Sequence, residues 1–271
     1  MAALVFGGNT DQMFHLSQST GVAAKLIAAC AVALLLHACG VADSPGSKDT
    51  SNMTDASAET SPPAEDQLVA IDVLLIPDTT MLRAAGEWNS RLREQMPDGF
   101  SLDASHRPHV TLLQQYVAAK DVEAVIAAVN GLAASLDLGA MKLTADGLYH
   151  IPSGEIGLQG ITIRSTPEIV SLQSKVIEAL APYRKRGGGE AAFVPDPTGA
   201  AFDPFLFSYV DGFAESQSGA KYSPHVTTGT APLAWVEARE EEPFKPFEFG
   251  VDKLTVYRLG NFGTAAEPLA K

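Results

Sequence analysis

The sequence predicts an α+β fold with two similar lobes, on three observations. Strand-like and helix-like periodicities alternate from residue 67 onward. The tetrapeptide Pro-His-Val-Thr occurs twice, at 108–111 and at 224–227, once in each half of that stretch. Between the copies, two strand-like runs flank the turn signal Pro152-Ser153-Gly154, the pattern of an antiparallel hairpin.

Taken in order, residues 67–77 (QLVAIDVLLIP) read as a buried strand that its proline stops. Residues 79–96 place Leu82, Ala85, Trp88 and Leu92 at helical spacing, and Pro97-Asp98-Gly99 ends that helix. Residues 107–116 (RPHVTLLQQY) form a second strand. Residues 121–136 form an amphipathic helix that opens on Asp121, suited to the positive end of the helix dipole. The hairpin arms run over 141–150 and 155–164. Thr166-Pro167-Glu168 opens a helix to residue 180, with proline tolerated in its first turn. Residues 181–204 are a long loop holding Arg184-Lys185-Arg186 and three consecutive glycines. A helix over 205–216, a strand over 222–230, and two closing strands at 247–250 and 253–259 complete the pattern.

The N-terminal part reads differently. Residues 26–38 (LIAACAVALLLHA) are apolar except His37 and follow Lys25. Thirteen residues are short for a membrane span and suit the core of a signal peptide. Leu36-His37-Ala38-Cys39-Gly40 fits a bacterial lipobox, so Cys39 is the expected lipidated first residue of an exported, membrane-anchored protein on the periplasmic or cell-surface side. Residues 1–38 are then the signal peptide, with Met13 an alternative start. Residues 40–66 have six acids, one lysine and no aromatic residue, the composition of a tether that cannot bury a core. The chain's two cysteines, Cys30 and Cys39, both lie in or directly after the apolar N-terminal stretch, which leaves residues 67–271 no disulfide.

Charge bounds the partners. The chain carries 32 acids against 19 bases, net −13, and 67–271 alone carries 25 against 17, net −8. Duplexes and long RNAs are held through many phosphate contacts by basic surfaces, so a duplex partner is not expected. A small phosphate ester in a local pocket remains compatible, and a monomer is expected. No dinucleotide or P-loop glycine fingerprint occurs, and no cofactor is called for.

The duplicated tetrapeptide carries the chemistry. In a strand, alternate residues share a face, so His109 with Thr111 and His225 with Thr227 each point one way. Val110, Leu112 and Val226 point the other way, into the apolar layer. Phosphodiester cleavage needs a base for the attacking oxygen and an acid for the leaving oxygen. Histidine, with a reference pKa near 6.5, serves as either near neutrality. In-line geometry places those oxygens on opposite sides of phosphorus, where two facing strands can each supply one imidazole. The threonine hydroxyls can donate to the non-bridging oxygens. Chance alone would produce about 0.4 His-x-Thr matches, so the specificity lies in the proline, the strand context and the placement in matching halves.

The paired PHVT strands resemble the two-histidine phosphoesterase superfamily, which includes 2′-5′ RNA ligase-like proteins and cyclic phosphodiesterases. The run at 247–265 (FEFGVDKLTVYRLGNFGTA) resembles that family's last strands. The resemblance implies a bilobal α+β fold, with two pseudo-symmetric antiparallel sheets lining a central cleft and helices outside. It also implies that His109 and His225 are the acid–base pair and that Thr111 and Thr227 bind phosphate; the four groups by themselves require no metal. The expected activity is hydrolysis of a small nucleotide 2′,3′-cyclic phosphate or 2′-5′ phosphodiester. A non-catalytic phosphate-ester-binding lipoprotein and a hydrolase of a non-nucleotide phosphodiester are the rivals.

Other residues have duller explanations. His106 and His109 form His-x-x-His, but strand geometry sends them to opposite faces, against a metal pair. His150 fits a surface position beside the hairpin. Tyr116, Tyr149, Tyr222 and Phe262 are candidates for stacking on a base, with core packing the alternative. Arg184-Lys185-Arg186 is either a phosphate lid or a solvated turn. Ser105 and Ser223 have no adjacent base and are not nucleophile candidates.

Overall fold

The computed structural model describes residues 67–197 and 199–270. The signal segment, Cys39 and the acidic tether lie outside the described residues. Among the described residues, seven strands form one antiparallel system, flanked by five α-helices. The strands run in the order β2-β1-β6-β3-β4-β5, with β7 added to β6.

The first lobe is built on β1 (Leu68–Pro77) and β2 (Val110–Ala118), with α1 (Thr79–Gln95) between them. Side chains of β1 separate by parity. Ile71, Val73 and Leu75 enter the main apolar core, while Leu74 and Ile76 pack on the other face with Tyr257 and Ala265. Asp72 lies on that second face. The β1–β2 register slips between Val73 and Leu74, so Leu112 and Leu113 both enter the core. That bulge lets Thr111 and Gln114 share the Asp72 face although three positions separate them.

The second lobe is the hairpin β3 (Lys142–Ser153) and β4 (Ile156–Ile163), joined by β5 (His225–Pro232). Helices α2 (Val122–Ala134) and α3 (Pro167–Leu180) bury Val125, Val129, Ile169, Leu172 and Val176 against the same core. Helix α4 (Pro204–Ser216) covers the far end of the first lobe, where Leu206 and Val210 meet Tyr116 and Phe193.

The two closing strands expected from the sequence are one thirteen-residue strand, β6 (Phe247–Leu259). Its start pairs with β3 up to Gly250, and from Val251 it pairs with β1. The break in apolar pattern at Gly250 marks a change of partner, not a strand end. Asp78 secures that point: its carboxylate accepts from Gly250 N at 2.7 Å and caps α1 through Thr80 N at 2.9 Å. One strand therefore belongs to both lobes and joins the two sheets.

Two further elements escaped the sequence pattern. Helix α5 (Leu233–Glu240) follows β5 directly and buries only Val236, too little to show an amphipathic period. Strand β7 (Ala265–Pro268) is four residues long and pairs with β6. The strand predicted over 222–230 begins at His225, and the one predicted from 107 begins at Val110.

Candidate active site

Each histidine sits at the mouth of its strand, and its imidazole is anchored the same way. His109 Nδ1 lies 2.6 Å from the carbonyl of Arg107, and His225 Nδ1 lies 2.8 Å from the carbonyl of Ser223. A carbonyl only accepts, so each Nδ1 carries a hydrogen and each Nε2 is left for chemistry. The intervening Pro108 and Pro224 limit the backbone of the turn that brings the carbonyl back. The two motifs are tied directly: Tyr222 donates its hydroxyl to the carbonyl of Thr111 at 2.8 Å.

The surroundings of the two imidazoles differ. Burial disfavours a charged imidazole at His109, yet the Asp72 carboxylate, 3.5 Å from its Nε2, outweighs that and raises its pKa. Burial dominates at His225 and lowers its pKa, helped by the nearby His109 charge and opposed by the Ser223 carbonyl and Asp72. One histidine is thus biased toward the protonated form and the other toward the neutral form, as paired acid and base require.

The threonines lie on the expected face, but neither hydroxyl is idle. Thr111 donates to Asp72 Oδ2 at 2.9 Å, and Gln114 Nε2 donates to the same oxygen at 3.1 Å. Thr227 Oγ1 lies 3.0 Å from the hydroxyl of Tyr149, whose ring packs on His225 with centroids 4.7 Å apart. Tyr149 reaches two strands across because its cross-strand neighbour on β4 is Gly160, itself opposite Thr227. A Cβ at Gly160 would collide with the Tyr149 ring and lie 2.6 Å from the Val226 carbonyl.

Sequence patterns do not single out Asp72 or assign Tyr149 its role. Asp72 has a signal, since a charge in the run VAIDVLLIP must find partners when buried. Tyr149 reads from sequence only as a stacking residue; its contact with Thr227 depends on the β3–β4–β5 register.

The remaining candidates lie elsewhere. His106 stacks on Phe100 with centroids 5.1 Å apart and bonds Asp103, away from any His109 pair. His150 pairs with Glu240 of α5 on the helix-covered side. Among the described residues, no three His, Cys, Asp or Glu side chains gather as a metal site would need. Arg184 and Arg186 both bind Glu215 of α4, at 2.6 and 2.7 Å, and hold its pKa down to about 2. Gly187 N donates to Asp211, so this basic run is fastened to α4. Tyr116 is buried and donates to the Phe207 carbonyl, and Tyr222 is buried in the core. Of the four aromatic candidates only Phe262 is exposed, at 46%, on a turn where its φ is +59°. A separate recess of about 700 Å³ opens on the helix-covered side between α1 and α5, lined by Arg83, Trp88, Arg91 and Lys245. It contains none of the motif residues.

An α+β fold of two joined antiparallel sheets, with a His-x-Thr pair at the mouth of one strand in each, is that of the two-histidine phosphoesterase superfamily. The chain belongs to the 2′-5′ RNA ligase superfamily, whose family model matches residues 83–261, well over half its length and both Pro-His-Val-Thr segments. Membership carries phosphodiesterase- or ligase-type chemistry. Among solved structures, the protein TT0787 of Thermus thermophilus is similar at 14% identity and a TM-score of 0.41, covering 72% of this chain and 92% of that one. Kluyveromyces marxianus Usb1 with uridine monophosphate is similar at 11% identity and a TM-score of 0.32, covering 65% and 76%. A second structure of that Usb1 has 10% identity and a TM-score of 0.34, covering 72% and 96%. Curated protein sequences give no match.

Proposed function

We propose that this chain is a phosphodiesterase for a small nucleotide, opening a 2′,3′-cyclic phosphate or cleaving a 2′-5′ phosphodiester without a metal ion. The observation that supports it best is the matched pair of imidazoles. Each is anchored through Nδ1, and their environments bias them to opposite protonation states.

In this reading neutral His225 takes a proton from the attacking water at its Nε2. The water oxygen bonds to phosphorus as the bond to the leaving oxygen breaks, and His109 Nε2 gives that oxygen its proton. The Thr111 and Thr227 hydroxyls hold the non-bridging oxygens, where charge redistributes in the transition state. Tyr149 positions Thr227 and the His225 ring. The second strand pair supplies the base and the first the acid, so the reaction needs both lobes. The acidic chain and the lipobox-like Cys39 fit a small extracytoplasmic substrate, met by a monomer anchored through a lipid.

The test is a panel of cyclic nucleotides, 2′-5′ and 3′-5′ dinucleotides and lipid-head-group diesters, assayed with EDTA present and with product regiochemistry read by phosphorus NMR. Turnover of a nucleotide diester that EDTA leaves unchanged is expected. His109→Ala and His225→Ala should each lower it by about 10²–10⁴-fold while circular dichroism stays unaltered. Near wild-type turnover in either variant, or loss with EDTA restored by zinc or manganese, would overturn the reading.

A further inference from the structure

We infer that Asp72 is a positioning residue of this site, holding the reactive edge of His109 and the Thr111 hydroxyl until substrate arrives, and that it selects a singly charged phosphodiester over a doubly charged phosphomonoester. The inference rests on the phosphodiesterase reading and adds a residue that the motifs do not contain. Asp72 also lies outside the residues 83–261 that the family model matches.

The geometry is specific. Asp72 lies in the middle of β1 with none of its surface exposed. Its Oδ2 accepts from Thr111 at 2.9 Å and Gln114 at 3.1 Å and lies 3.5 Å from His109 Nε2, while Oδ1 has no hydrogen-bond partner among the described residues. Tyr257 is its register partner on β6, and His225 and Tyr222 lie near enough for its charge to act on them. Desolvating a carboxylate is costly unless its partners are well placed, so this charge is held in position by the groups around it.

This arrangement shapes what can bind. A threonine hydroxyl has one hydrogen, and Thr111 spends it on Asp72, so phosphate must draw that hydrogen away. Likewise the His109 proton faces a carboxylate at rest and a leaving oxygen during reaction. Binding is therefore an exchange of one anionic acceptor for another. The pair His109 and Asp72 is electrically neutral when the imidazole is protonated, so the site has little positive charge to spare. A diester brings one negative charge, whereas a monoester near neutrality brings about 1.5 to 2. The extra charge meets Asp72 in a water-poor setting, which should weaken the monoester by on the order of ten-fold. Hydrolysis turns the first kind of ligand into the second, so the same carboxylate would expel product.

The experiment compares binding of adenosine 2′,3′-cyclic monophosphate and adenosine 2′-monophosphate by calorimetry. His225→Ala is the background, so that the diester is not consumed. With Asp72 intact, the monoester-to-diester affinity ratio should rise several-fold as pH falls from 7.5 to 5.5 and the monoester takes up its proton. Adding Asp72→Asn should raise monoester affinity roughly ten-fold at pH 7.5 and flatten the ratio. In the active protein the same substitution should move the alkaline limb of kcat/KM to lower pH. A pH-independent ratio with Asp72 intact, an unmoved limb, or a diester that binds no better than the monoester at pH 7.5 overturns the assignment. If Asp72→Asn does not fold, the ratio with Asp72 intact decides alone. Because binding needs no turnover, the expected ratio from a protein that cleaves nothing would sink the catalytic reading and leave the Asp72 assignment standing.

Discussion

At the scale of single residues, the two imidazoles set a pH dependence whose signs can be worked out. As the proposed base His225 must be neutral, and its pKa is displaced below 6.5, so activity should be lost as pH falls through that depressed value. As the proposed acid His109 must be protonated, and its pKa is displaced above 6.5, so activity should be lost as pH rises through that elevated value. A plot of kcat/KM against pH should be a bell with 6.5 inside its plateau, its limbs reporting the pair in the free protein. Stability follows the same signs: the His109 contribution is present below 6.5 and lost above its folded pKa, and that of His225 is the reverse. A bell centred outside the plateau, or a single limb, would contradict the assignment of roles. Thr227→Val should lower the height of the bell and leave its limbs in place, because in the proposed mechanism the hydroxyl beside Tyr149 holds phosphate and transfers no proton.

At the scale of elements, the cleft depends on close approaches that permit no side chain. Gly160 lets the Tyr149 ring cross β4 to reach Thr227 and His225. Gly160→Ala should cost about 1–3 kcal/mol, as overpacking does, and should depress kcat more than the stability loss explains. Gly86 in α1 is the matching control, since a Cβ there meets nothing within 4 Å. Gly86→Ala should stabilise by about 0.5–1 kcal/mol through helix propensity and leave turnover unaltered. Thermal unfolding beside steady-state kinetics separates the two effects. The long loop illustrates the same level of organisation. Its arginines, which could have formed a lid, are committed to Glu215 and Asp211 of α4, and Arg258 holds residues 191–193 through their carbonyls.

At the scale of the whole molecule, β6 makes the two lobes one body, so the histidines are placed by a continuous sheet system. Among the described residues no helix is long and apolar enough to cross a membrane. In the proposed lipoprotein form, membrane attachment rests on Cys39. Cys39→Ala is expected to turn a detergent-phase protein into an aqueous or unprocessed one, because residues 40–66 carry no apolar segment to replace the anchor. Recovery of the wild type in the aqueous phase, with no acyl group by mass spectrometry, would remove the anchor from the account.

The sequence by itself determined the α+β class, most helices and strands, and the two His-x-Thr faces. Those follow from periodicity and from a tetrapeptide repeated in matching halves, which are properties of neighbours along the chain. It determined the identity of His109, His225, Thr111 and Thr227 as residues on one face because alternation within a strand is local. Tertiary structure alone decided that the closing strands are one strand with two partners, since a break in apolar pattern reads alike whether a strand ends or changes partner. It decided that Asp72 faces His109 and Thr111, because a bulge in the β1–β2 register brings Thr111 and Gln114 to one face. It also decided which imidazole is biased toward protonation. The two motifs are identical in sequence, and the difference comes from a buried carboxylate that lies beside His109 and reaches His225 only at longer range.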